Sequence, residues 1–313
     1  MFAYIVRRVL ATIPVMLIVA LFVFSLLYLA PGDPAAIIAG DQATPADVER
    51  IRASLGLDRP FLVRFGEWFW RVLNGDLGTS IFTNLPVSHM IAQRIEPTLS
   101  LMVLTLILSL SLAIPMGVLA AWKSGTWIDR SVMVVAVAGF SVPVFVVGYV
   151  LAYVFALELD MFPVQGYTPI SQGLWPWLNN LALPAVALGL AFMALIARIT
   201  RATMMEVLSQ DYVRTAKAKG VDQRQILFLH ALKNAAVPIV TIIGIGFASL
   251  IGGAVVTESV FAIPGVGRLV VDAILRRDYP VIQGVVLMLS FVYVLVNLGV
   301  DLLYTLFDPR IRY

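Results

Sequence analysis

The sequence predicts an all-α integral membrane fold: six transmembrane helices and a small helical subdomain on the outer face. Three observations carry this. The chain is 60% hydrophobic and only 13% charged, with mean hydropathy +0.92, where a soluble domain carries about 25% charged residues. Six stretches reach the roughly 20 apolar residues needed to cross the hydrocarbon. The polar segments between them differ sharply in basic content, as loops on the two sides of a membrane do.

Taken in order, the uncharged stretches are 9–30, 97–122, 131–157, 234–257 and 279–300, with a further one inside 161–197. That last run is interrupted by Pro163, Pro169, Pro176 and Pro184, so its helix is placed at 181–197, with an extension as far as Leu208. The first follows Arg7 and Arg8. At 22 residues it is too long for the apolar core of a signal peptide, and no small-residue cleavage site follows it. It therefore reads as a retained span. Pro115, Pro143 and Pro184 fall inside spans and predict kinks.

Orientation follows from Lys and Arg. With the N-terminus inside, the inner segments hold thirteen basic residues and the two short outer loops hold three. Both termini are thus expected in the cytoplasm. Segment 31–96 has 66 residues, too many for a structureless loop. Thr44 and Pro45 resemble a helix start, Val48, Ile51 and Leu55 recur at helical spacing, and Gly56 stops the helix. A second amphipathic stretch, 61–73, carries Phe61, Phe65, Trp68, Phe69 and Val72. Trp68 and Trp70 suit a lipid interface.

The most basic short loop is 198–235. From Arg198 to Lys233 it holds seven Lys or Arg against three acids. It reads as two short helices with a corner between them. Gly220 stands where a left-handed helix cap needs a residue without Cβ. Asp222 caps the next helix, with Gln225 completing a capping box. That helix places Ile226, Leu229 and Leu232 on one side and ends before Pro238, which opens the next span.

Here the chain resembles a known family. Arg214-Thr215-Ala216, three residues, then Gly220 is similar to the EAA---G loop of ABC-importer permeases, with Arg214 where the motif has Glu and Pro238 later than its usual proline. The wider runs Asp211–Gly220 and His230–Pro238 resemble the dipeptide/oligopeptide/nickel permease branch. So do Pro31-Gly32-Asp33-Pro34, residues 55–60, 75–80 and 258–269, and the tail 308–313. In order, these blocks span essentially the whole chain and match the permease subunit with the long outer loop.

The resemblance implies a single permease domain, 1–313, of a type I ABC importer, multi-pass in a bacterial or archaeal cytoplasmic membrane. It would form half of a pore for peptides, di-, oligo- or glutathione-like. It further implies a second homologous permease subunit, two ABC ATPase subunits and an extracytoplasmic solute-binding protein, working by alternating access. The loop around Tyr212, Arg214, Thr215, Ala216, Lys217 and Gly220 would then dock on an ATPase. The solute itself is not named by any residue.

The residues alone bound the chemistry. His89 and His230 lie in different polar segments, and there is no His-Glu-x-x-His and no cysteine, so no catalytic site, metal site or cofactor is expected. Lys123-Ser124 is the only Lys-Ser pair, and Trp122 stands where a phosphate loop needs glycine. If ATP drives transport, another chain binds it. The basic residues cluster by loop, which speaks for membrane orientation and against nucleic acid. Glu258, Pro264, Gly265 and Gly267 read as a tight re-entrant turn on the outer side. Gly244, Ala248 and Gly252, at i, i+4 and i+8, allow close helix approach, either within the subunit or against a second permease. The alternative to an importer subunit is a self-sufficient secondary carrier or channel. It would need an ion-coupling site, and the spans carry no ionisable residue near their middles.

Overall fold

The computed structural model describes residues 2–29, 34–39, 44–54 and 57–307. The expected stop at Gly56, most of the Pro31-Gly32-Asp33-Pro34 block and the tail 308–313 lie outside them. The described residues contain helices α1 (Phe2–Leu29), α2 (Pro34–Ala39), α3 (Pro45–Ser54), α4 (Phe61–Leu73), α5 (Val87–Trp122), α6 (Trp127–Ser141), α7 (Val144–Leu151), α8 (Leu174–Leu208), α9 (Asp211–Ala218), α10 (Gln223–Gln225), α11 (Lys233–Val260), α12 (Val266–Arg276) and α13 (Tyr279–Phe307), and no strand. Five helical runs are long and apolar enough to span a membrane. A sixth span exists only as a bent pair. The expected kink at Pro143 is a break: α6 and α7 meet at 101°. Pro143 has no N–H to continue the ladder, and it disfavours the helical conformation at Val142, whose φ and ψ of −93° and 126° are extended. Pro115 and Pro184 stay inside continuous helices.

The chain divides into two compact units, Met1–Ile5 with Arg94–Arg268 and Tyr293–Tyr313, and Val6–Gln93 with Leu269–Val292. In the first, α8 is the central helix. Its apolar stretch is 61% buried, against 17–39% for the other long helices. Leu181, Leu188, Phe192 and Ile196 of α8 pack with Leu101 of α5 and Leu250 and Ala254 of α11. A second cluster joins Val118 and Ala121 of α5, Met204 of α8, and Leu227, Ala231, Ala235 and Ile239.

In the second unit, α4 spans the predicted 61–73, and its apolar face is the predicted one. Phe61, Phe65, Trp68, Phe69 and Val72 pack with Ala20, Val23 and Phe24 of α1 and Leu287 of α13. Phe24 lies 5.2 Å from the Trp68 ring and 5.3 Å edge-on from Phe61. Trp68 is therefore core and not an interfacial anchor; Trp70, 68% exposed, points away. The helix start at Pro45 also stands, with the Val48 N–H donating to the Thr44 carbonyl at 3.1 Å. Beyond α4, the Ser80 hydroxyl donates to Asp278 at 2.5 Å, and the Ile81 N–H donates to the same buried carboxylate at 3.3 Å.

Candidate functional site

The basic loop folds around one residue, Val213, which is fully buried while its neighbours face outward. Tyr212, Arg214, Thr215 and Lys217 are exposed and Ala216 is half-buried, so α9 presents a polar face with a tyrosine on it. Asp211 and Arg214 pair at 3.5 Å with side chains 96% and 74% exposed, a contact worth little against solvent. The helix ends as expected at Gly220, whose φ is +77°. The Gly220 N–H donates to the Lys217 carbonyl at 3.0 Å and the Val221 N–H to the Ala216 carbonyl at 3.2 Å, the paired bonds of a Schellman cap. A Cβ at Gly220 would touch nothing within 4 Å. Its requirement is therefore purely conformational: a side chain there costs roughly 1–2 kcal/mol of backbone strain.

Three expectations for the second half of the loop do not hold. Asp222 caps the next helix by accepting from the Arg224 N–H at 3.0 Å, but exposed Gln225 makes no bond back, and the capping box is not formed. Nor is there a separate short helix ending before Pro238. The chain runs helically without interruption from Gln223 to Val260, with Pro238 inside it. Ile226–Leu232 is a π-helical segment. Its wider turns move the buried face. Ile226, Leu227 and Ala231 go inward, while Leu229 is 61% exposed beside Phe228 at 57%. The predicted Ile226–Leu229–Leu232 stripe assumed α-helical spacing, and i→i+5 bonding displaces it.

The turn after α11 brings Glu258, Pro264, Gly265 and Gly267 together. Glu258 is fully buried. Its Oε1 accepts from the Thr98 hydroxyl at 2.6 Å and its Oε2 from the Arg268 N–H at 2.9 Å. The Thr98 oxygen accepts in turn from the Val266 N–H at 2.8 Å. Carboxylate and hydroxyl together thus satisfy two orphan N–H groups of the first turn of α12, those of Arg268 and Val266. A Cβ at Gly265 would overlap the Glu258 carboxylate, so the turn closes only around glycine. The same region is tied to α5 by Tyr167, whose hydroxyl bonds Glu96 at 2.9 Å and Ser100 at 3.1 Å; burial lifts its phenol above the ordinary range.

The small-residue stripe of α11 splits. A Cβ at Gly244 would meet Val300 of α13 at 2.6 Å, so this position serves packing within the chain. Ala248 is half-buried, and Gly252 is exposed with open space before it. One pair escaped the sequence reading. Arg201 of α8 forms a bidentate ion pair with Asp129 of α6, one contact at 2.7 Å, and Asp129 also accepts from the Gly125 N–H at 3.0 Å. Asp129 is 4% exposed. The available signal was a lone acid at the edge of the uncharged run 131–157.

A bundle of uncharged spans from which an exposed, basic helix–turn–helix emerges defines a membrane permease subunit. The comparisons agree along the whole chain: the chain belongs to the binding-protein-dependent transport system inner membrane component family, matched over residues 113–313, and its first 102 residues match the N-terminal part of such components. It is 57% identical over 310 residues to a probable peptide ABC transporter permease of Sinorhizobium fredii, covering 99% of each chain. It is 42% identical to the glutathione transport system permease GsiC of Salmonella choleraesuis over the full length of both. Against the dipeptide transport system permease DppB of Alkalihalophilus pseudofirmus it is 39% identical, again over both full lengths. Among solved structures, a chain of the inward-facing MetNI methionine ABC transporter shares the fold, with TM-score 0.58 at 16% identity over 70% of this chain and 96% of that one. The protein is an ABC transporter permease subunit with several membrane-spanning helices.

Proposed function

We propose that this subunit forms half of a peptide-conducting pore with a second homologous permease and is driven by two ATPase subunits docked at α9. An extracytoplasmic binding protein delivers the solute, both termini lie in the cytoplasm, and the segment between α1 and α5 together with the Glu258 turn faces outward. The relatives' names supply the cargo class: peptides, with di- and tripeptide-sized solutes included. The thirteen-to-three distribution of basic residues supports the orientation.

The observation that carries the coupling role is the geometry of α9. Tyr212, Arg214, Thr215 and Lys217 face outward, Val213 anchors the helix from beneath, and the left-handed Gly220 cap fixes its angle to the next helix. Exposed Phe228 and Leu229 add apolar surface to the same short loop, and an aromatic and aliphatic centre with a charged rim is the usual make-up of a docking patch. Closure of the ATPases on ATP would move this element and tilt the spans between inward-open and outward-open states.

The test measures uptake and ATPase co-purification from the same membranes. Gly220→Val and Tyr212→Asp are expected to insert normally, lose ATPase subunits and lose uptake, while Gln223→Ala stays near wild type. Ala216, being half-buried, is a less clean probe. Normal uptake and full ATPase retention in both loop variants would remove α9 from the coupling path.

A further inference from the structure

The second compact unit contains a cavity of about 440 Å³, between α4, the turn 76–84 and the start of α13, with Phe24 of α1 at its base. Its volume lies in the range of small-ligand sites, about 300–1,000 Å³. The charges on its wall have an unusual distribution. Arg59 is already neutralised by a two-bond pair with Glu67, both contacts at 2.8 Å. Arg64 is not. It is 8% exposed, yet among the described residues its partners are the Tyr28 hydroxyl and the faces of the Tyr28 and Phe24 rings, with its guanidinium carbon 5.1 and 5.9 Å from their centroids. A guanidinium offers five N–H donors and keeps its charge at any working pH. Burying it without an anion is costly. Ring faces recover only part of that cost. Arg71, two turns further along α4, lines the same space, and Asp76 contributes a second acid beside Glu67.

We infer that this cavity is a binding site for a small carboxylate-bearing solute, with the carboxylate on Arg64. Arg64 is held from behind by Tyr28 and the aromatic cluster, so its planar fork is fixed before a ligand arrives, and a carboxylate matches that fork with two parallel bonds. Trp68, beside it, forms a flat apolar wall. The lining carries both signs of charge, as a zwitterion requires, and the volume accommodates a di- or tripeptide. On the orientation proposed above, on which this inference rests, the site lies on the outer side, where solute is released from a binding protein. It would give the permease its own check on the free C-terminus of the cargo.

The experiment uses the assembled permease–ATPase complex in nanodiscs without binding protein. Calorimetric titration compares trialanine, trialanine carboxamide and inorganic phosphate, on wild type and on Arg64→Met. The expected result is saturable trialanine binding, weakened at least tenfold by the carboxamide and at least tenfold by Arg64→Met. Where Arg64→Met fails to assemble, the carboxamide comparison on the unaltered complex decides alone. Absent trialanine binding, equal binding of acid and carboxamide, or phosphate binding tighter than trialanine would each overturn the inference. Peptide uptake by the same complex with its binding protein is measured in parallel. Uptake without Arg64-dependent binding discards the site and leaves the permease function standing.

Discussion

Thr98 offers a substitution for which two lines of reasoning give opposite answers. It is 7% exposed on α5, and its single hydroxyl links Glu258 to the first turn of α12, donating at 2.6 Å and accepting from Val266 at 2.8 Å. By burial alone, Thr98→Val is harmless or favourable, because a methyl replaces a hydroxyl at constant volume, and Thr98→Ser is the worse change because it removes a methyl. By hydrogen-bond accounting the order reverses. Valine leaves the Val266 N–H and one carboxylate position of Glu258 unpaired in a sealed site, at about 1–3 kcal/mol each, so about 2–6 kcal/mol in total. Serine keeps both bonds and loses roughly 1 kcal/mol of packing. At about 2 °C per kcal/mol for a chain of this size, Thr98→Val should lower the apparent melting temperature of the detergent-solubilised protein by about 4–12 °C, and Thr98→Ser by about 2 °C. Tryptophan-fluorescence melts at fixed detergent and scan rate measure both. A Thr98→Val protein that melts at or above Thr98→Ser refutes the Glu258 network as the element that closes this turn.

Other outcomes follow from the same structure. Asp129→Asn should cost about 1–3 kcal/mol, less than a fully buried pair because Arg201 is 25% exposed; in a double-mutant cycle with Arg201→Met, a coupling below about 0.5 kcal/mol would show the pair to be incidental. Trp68→Ala should destabilise by about 3 kcal/mol or more through the void left against Phe24 and Leu287, whereas Trp70→Ala, on the exposed side, should be near neutral in a melt. The chain has no cysteine, so single cysteines report topology cleanly. Cysteines at Asp47 and Gln172 should react with a membrane-impermeant thiol reagent in intact cells, and one at Gln223 should not; labelling of Gln223 alone inverts the proposed orientation.

Features encoded by local pattern were legible from the residues. The boundaries of α4 follow from aromatic residues at helical spacing, and Gly220 is legible because a left-handed cap leaves few choices. The apolar runs were equally plain, since a helix that crosses the hydrocarbon must be apolar over about 20 residues. Illegible were features set by partners distant in sequence. Nothing near Glu258 announces Thr98, 160 residues away, and nothing near Asp129 announces Arg201. The sides of Trp68 and Trp70 were mistaken for equivalent because lipid and protein core attract the same ring. Leu229 was misplaced for a different reason. Its neighbours read as α-helix, and a π segment has no compositional signature, so the face it exposes emerges only in three dimensions. The break at Val142–Pro143 shows the converse: the proline was visible, but the size of the bend depends on what each half packs against.

The unbroken run from Gln223 to Val260 has a mechanical consequence. Its 38 residues make a rod about 57 Å long at 1.5 Å per residue, with the Gly220 corner at one end and the Glu258 knot at the other. A tilt of about 5° about one end carries the other through about 5 Å, close to one helical turn. On the coupling role proposed for α9, a small angular input at the corner would reach the far turn as a stroke large enough to exchange one set of packing contacts for another. The π turns at Ile226–Leu232 sit directly after the corner. Shortening this segment by one residue would rotate everything beyond it by about 100° relative to the corner, and on the proposed coupling role would put the far turn out of register with the corner.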